Sequence, residues 1–169
     1  MQLTGKQIVN QGIIYNHTQE GVQQQGVDVR VIEIREVRGS GYIPANGKTK
    51  KATSVVIPPC EYDRDRWGWK LERGYYEVTF AEGCKIPANA VLHYDPRSSL
   101  VRCGGRVFSG QFDGGFETAN MGCFMELSLP ITIDQFARIA QARVEESYPV
   151  DEENLYNGQW QRCKPGEQN

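Results

Sequence analysis

The chain has 169 residues, enough to bury one ordinary hydrophobic core, so a single domain spanning 1–169 is expected. Its formal net charge of -2, with Lys and Arg scattered along it, argues against a polyanion-binding surface or a nucleic-acid partner, and any phosphate site must be local. No long apolar stretch and no apolar region behind Met1 are present, so neither a membrane span nor a signal peptide is expected, and the sequence reads as cytoplasmic.

In chain order, Thr4 can cap an opening helix with Gln7 at the capping-box position, Ile8 on its apolar face and Gly12 at its end. The 18 glycines and 8 prolines then break the chain into short runs rich in β-branched and aromatic residues. Strands are predicted over Val27 to Val37, Thr53 to Ile57, Tyr75 to Phe80, Ala90 to Tyr94, Cys123 to Leu129 and Ala137 to Val144. The polar stretch from Arg38 to Arg73, which carries Lys48, Lys50 and Lys51, reads as loops around one of these strands. The segment from Asp134 to Gln141 also fits a helix, since Phe136, Ile139, Ala140 and Val144 share a helical face. The pattern is that of an all-β sandwich, jelly roll or barrel with a short N-terminal helix. Five cysteines, Cys60, Cys84, Cys103, Cys123 and Cys163, are odd in number and form no C-x-x-C pair, which favours free thiols over disulfides or zinc.

Chemistry concentrates in four places. Arg97, Ser98, Ser99 and Arg102, bounded by Gly104 and Gly105, could supply donors and positive charge to phosphate oxygens or could form a solvated turn. In Gly110-Gln111-Phe112-Asp113-Gly114-Gly115-Phe116 a carboxylate sits among glycines that let a ligand approach the backbone. Glu126 is the one acid in an apolar strand, a base if it points inward and an ordinary surface residue if it points outward. The closing Tyr156-Asn157-Gly158-Gln159-Trp160-Gln161 could fold over a ligand, as a flexible lid formed by 150–169, or be disordered as chain termini commonly are. No P-loop, dinucleotide-binding turn or zinc-deaminase signature is present.

Taken in order, these motifs resemble those of the deoxycytidine triphosphate (dCTP) deaminase and deoxyuridine triphosphatase (dUTPase) superfamily. Arg97 to Arg102 resembles the deaminase phosphate and catalytic motif, Gly26-Val27-Asp28-Val29-Arg30 the early motif, and Gly110 to Phe116 the base and sugar segment. Arg138-Ile139-Ala140-Gln141 is similar to the late strand motif, and the opening and closing segments look more like a deaminase than a simple triphosphatase. The resemblance implies a distorted jelly roll that forms a homotrimer or a multiple of one, with active sites between subunits. It further implies zinc-independent deamination of dCTP, with or without diphosphate release to dUMP. Glu126 would act as base on the attacking water, and Ser98 and Arg102 would orient that water. Arg97, Ser98 and Ser99 would hold the triphosphate, Gly110, Gln111 and Phe112 the base and sugar, Gln141 of the late strand motif would also bind the nucleotide, and Tyr156, Gln159 and Gln161 would close over it. Magnesium would be held through water near Asp28. The alternatives are hydrolysis of deoxyuridine triphosphate (dUTP), with Asp113 activating water for attack on phosphorus, and a non-catalytic nucleotide-binding regulatory protein. The run Glu117 to Met121 departs from the family spacing between Asp113 and Glu126, and Gln159 stands where deaminases commonly have lysine.

Overall fold

A computed structural model describes residues 1–161; Cys163 and the rest of the expected lid lie outside the described residues. The opening helix α1, Gly5–Asn10, has the expected capping box: the Thr4 hydroxyl accepts from Gln7 N, and the Gln7 side chain accepts from Thr4 N. Gly12 ends it at φ 69°, and Ile8 is fully buried under the sheet.

The strands follow as β1 Ile14–Tyr15, β2 Val22–Gln23, β3 Gly26–Arg38, β4 Thr53–Ile57, β5 Cys60–Asp63, β6 Arg66–Leu71 and β7 Gly74–Phe80. After these come β8 Gly83–Lys85 and β9 Ala90–Pro96, then helix α2 Ser98–Arg102. The chain continues through β10 Gly105–Phe108, β11 Glu117–Thr118, β12 Gly122–Leu127, β13 Ile131–Asp134 and β14 Arg138–Glu146. The main sheet runs β10-β12-β7-β3-β14-β9, with β2 and β4 also on β3. Its two end strands, β10 and β9, lie against each other, so the sheet nearly closes into the barrel-like, distorted jelly roll expected from the sequence.

The long strand β3 makes this closure possible. Its first half pairs with β14 and β2, its second half with β7 and β4, and the β7 register shifts between Val31 and Glu33. Such a bulge sharpens the twist and lets one strand serve two layers. Inward residues of β3, β7, β12 and β14, among them Val29, Ile34, Val78, Met125 and Val144, are at most 0% exposed and fill the barrel. Alternation in β9 and β12 is that of half-buried strands, as the sequence pattern predicts.

Two expectations are corrected. The stretch from Arg38 to Arg73 holds three strands, not one: β5 and β6 form a hairpin at Asp65, and β13 joins them in a small second sheet. Residues 138–146 are strand, and helical continuity through 134–141 is broken by Phe136 at φ 61°.

Candidate functional site

The loop from Ser109 to Phe116 is pinned across β9, where Phe112 and Leu92 exchange both backbone hydrogen bonds at 2.9 and 3.0 Å. Gly115 turns at φ 93°, and a Cβ there would stand 2.9 Å from the Leu155 Cβ, so the chain end packs where only glycine leaves room. That end is docked rather than free of the barrel: Tyr156 N donates to Gly114 O at 2.8 Å, and its ring meets Phe116 edge-on. Gln161 donates to Gly115 O at 2.8 Å and accepts from Glu117 N at 3.0 Å. Gln159 brackets Thr49, accepting from its N–H and donating to its carbonyl.

Loop and chain end enclose a cavity of about 440 Å³. Phe112, Phe116, Phe124, Tyr156 and Trp160 supply aromatic walls, while Gln111 and Asp113 stand at its polar side. Gln111 Nε2 donates to Asp113 Oδ1 at 2.9 Å, which fixes the carboxylate while leaving it solvent-exposed. Flat apolar walls with a few placed polar groups suit a heteroaromatic ring with a charged appendage. Lys51 and Glu77, from outside the expected motifs, also line it.

A second cluster gathers around Asp28. This carboxylate is 2% exposed on β3; Arg97 Nε lies 3.2 Å from its Oδ2, Arg138 Nη1 4.0 Å away, and Gln141 Nε2 donates to Oδ1 at 3.2 Å. Burial pushes the Asp28 carboxyl above the ordinary range, opposed by Arg97, Gln141 and Arg138. Two guanidinium groups against one carboxylate leave net positive charge suited to an anion such as phosphate. Within the described chain Asp28 is paired with these arginines and with Gln141, and it buttresses them. Ser98, Ser99 and Arg102 are exposed along α2.

Glu126 is half-exposed on the outward face of β12, bonded to Arg106 of β10, a partner that the sequence reading did not name. It does not line the cavity, whereas Phe124, two residues before it on the same face, does. The run Glu117 to Met121 is accommodated as β11 against β8 with Met121 fully buried, which leaves β12 in unbroken register with β7. The predicted residues thus separate: Gly110, Gln111, Phe112, Asp113 and Tyr156 stand at the cavity, Gln159 and Gln161 dock the chain end beside it, Arg97, Asp28 and Gln141 form the cationic cluster, Ser98, Ser99 and Arg102 lie exposed on α2, and Glu126 is apart from all of these.

No protein-family model matches the chain. It is 38% identical over 146 residues to a deoxyuridine 5'-triphosphate nucleotidohydrolase of Methanocaldococcus jannaschii, covering 85% of this chain and 91% of that relative. The chain belongs to the dCTP deaminase and dUTPase superfamily. A probable deoxyuridine 5'-triphosphate nucleotidohydrolase of Halobacterium salinarum is 34% identical over 150 residues, 86% of this chain and 88% of the relative. The fold of this superfamily member matches the crystal structure of the 2'-deoxycytidine 5'-triphosphate deaminase from Agrobacterium tumefaciens with a TM-score of 0.61 at 19% identity. That match spans 90% of this chain and 50% of the deaminase chain, and at this identity it concerns the fold alone. The curated relatives therefore carry the activity weighed as the alternative in the sequence, and the deaminase expected first has only a fold neighbour beside it.

Proposed function

We propose that the protein hydrolyses dUTP to dUMP and diphosphate. The observation that carries this reading is the placement of the two carboxylates: Asp113 stands at the aromatic cavity, whereas Glu126 is spent on Arg106 outside it. The base and sugar stack between Phe112, Phe116 and the Tyr156 to Trp160 segment, with Gly110 and Gln111 along the loop. Asp113, oriented by Gln111, takes a proton from water as its oxygen attacks the α-phosphorus, and the bond to the bridging oxygen of the departing diphosphate breaks. Arg97 and Arg138, with Ser98 and Ser99 beside them, neutralise the charge that builds on the phosphate oxygens. Magnesium, when bound, would neutralise charge on the triphosphate.

None of Arg97, Ser98, Ser99 or Gln141 lines the cavity of its own chain, which supports the homotrimer implied by the resemblance, with one subunit's cationic cluster facing a neighbour's cavity. The test is to incubate purified protein with dUTP or dCTP and magnesium while assaying diphosphate and ammonia separately. Diphosphate from dUTP without ammonia from dCTP is expected. Ammonia from dCTP would establish the deaminase instead, and turnover of neither would leave a nucleotide-binding regulatory protein.

A further inference from the structure

The aromatic walls of the cavity can hold any pyrimidine, so selection among bases has to come from its polar lining. Among the described lining residues Lys51 is the one cation. It precedes β4 at the end of an arm, residues 39–52, in which Tyr42 and Lys50 exchange backbone hydrogen bonds at 2.7 and 2.9 Å. Its ammonium donates to Glu77 Oε1 at 3.2 Å, and both side chains are largely buried, 18% and 10% exposed. Glu77 Oε2 accepts in turn from Ser54 Oγ at 2.8 Å. Both carboxylate oxygens are therefore engaged within the protein, while an ammonium has three donors and spends one on Glu77.

We infer that Lys51 is a specificity-determining residue that selects a 4-oxo over a 4-amino pyrimidine. This rests on the proposed placement of the base in the cavity. The oxygen on C4 of uracil accepts from the remaining Lys51 donors. The amino group of cytosine would set donor against donor beside the largely buried Lys51 and Glu77 pair, leaving the donors unpaired. Gln159 enters as a positioning residue: its carboxamide grips both backbone groups of Thr49, two residues before Lys51, so docking of the chain end fixes the arm that presents the ammonium.

The intact protein is titrated calorimetrically with dUMP and with dCMP. Wild type binds dUMP more tightly by roughly tenfold to a hundredfold. Lys51→Met weakens dUMP and leaves dCMP nearly unchanged, bringing the two toward parity, and Lys51→Arg, which keeps the cation, retains most of the preference. Gln159→Ala lowers the preference with Lys51 in place. If Lys51→Met does not fold, as judged by circular dichroism, Lys51→Gln serves, since its amide offers a donor and an acceptor and should also approach parity. A preference that survives Lys51→Met or Lys51→Gln overturns the assignment of Lys51 alone, whereas a wild type that favours dCMP overturns it together with the dUTP reading. A wild type that binds neither nucleotide overturns the nucleotide reading on which it rests.

Discussion

Replacing each carboxylate by its amide separates the two chemistries, because Asn and Gln keep shape and hydrogen-bonding capacity while removing basicity. Asp113 is solvent-exposed and its carboxylate accepts from the Gln111 amide at 2.9 Å, a contact that Asn can keep through its own carbonyl, so Asp113→Asn should change folding stability by less than about 0.5 kcal/mol. Its effect on turnover is that of a lost general base, about 10²- to 10⁴-fold in kcat, or about 3–5 kcal/mol of barrier. Glu126→Gln removes a surface pair with Arg106 whose side chains are 42% and 69% exposed, a contribution of about 0–1 kcal/mol to stability. Diphosphate release should then stay within about twofold of wild type, since the proposed reaction makes no use of Glu126. Diphosphate is measured by coupling to inorganic pyrophosphatase, ammonia by reductive amination, and folding by urea titration of each variant. Full diphosphate release from folded Asp113→Asn would refute the assignment of the base. Loss of it in folded Glu126→Gln would show that the outward face of β12 takes part in catalysis.

Other outcomes follow from the same geometry. Arg97→Ala should weaken dUTP binding by about tenfold to a hundredfold, as titration calorimetry with a non-hydrolysable analogue would record. If sites form between subunits, unfolding and refolding Arg97→Ala together with Asp113→Asn should restore about one quarter of wild-type activity, the statistical share of sites with both parts intact. Activity no higher than that of the separate variants would place each site within one chain. Cys60 and Cys103 are exposed and should react with iodoacetamide at pH 8, whereas Cys84 and Cys123 should react only after unfolding, as peptide mass spectrometry would show. Burial pushes the Cys84 thiol up from 9.0 to about 12, so above pH about 9 the unfolded chain releases this proton while the native state retains it. Stability should therefore fall as pH rises between these values, read as a falling urea midpoint. Glu82 is 0% exposed and accepts from both Arg30 N and Arg30 Nε, so Glu82→Ala should cost about 3–5 kcal/mol in urea unfolding; a cost below about 1 kcal/mol would mean that the pair is dispensable.

Those elements whose local chemistry and tertiary role agree were legible in the sequence. The Thr4 and Gln7 capping box needs only backbone and side chains within one turn, and β9 and β12 bury alternate residues because one face of each meets the core. The second sheet was not legible. In β5 no residue is fully buried, so no alternation marks it, and the hairpin turn at Asp65 uses a left-handed residue that is not glycine. Only Trp69 and Leu71 of β6 go into the core, too short a pattern to separate a strand from a loop.

The candidate site shows the same division more sharply. Glycines and aromatics from Gly110 to Phe116 announced a close-approach loop, and that loop does border the cavity. Glu126 was singled out because an acid in an apolar strand is costly if buried, but the same reasoning applies to Glu77 in Gly74–Phe80, which was passed over. The strand register puts both acids on one face of the sheet, Glu77 opposite Phe124 and Glu126 opposite Tyr75. Alternation assigns a residue to a face; it does not say what covers that face. The arm bearing Lys51 and the segment bearing Trp160 lie over the Glu77 end and make it a cavity wall 8% exposed, while Glu126 is paired with Arg106 and stays half-exposed. Which acid is buried was decided by segments 26 and 83 residues away from Glu77 in sequence, and pairings of that range leave no periodic trace in either strand.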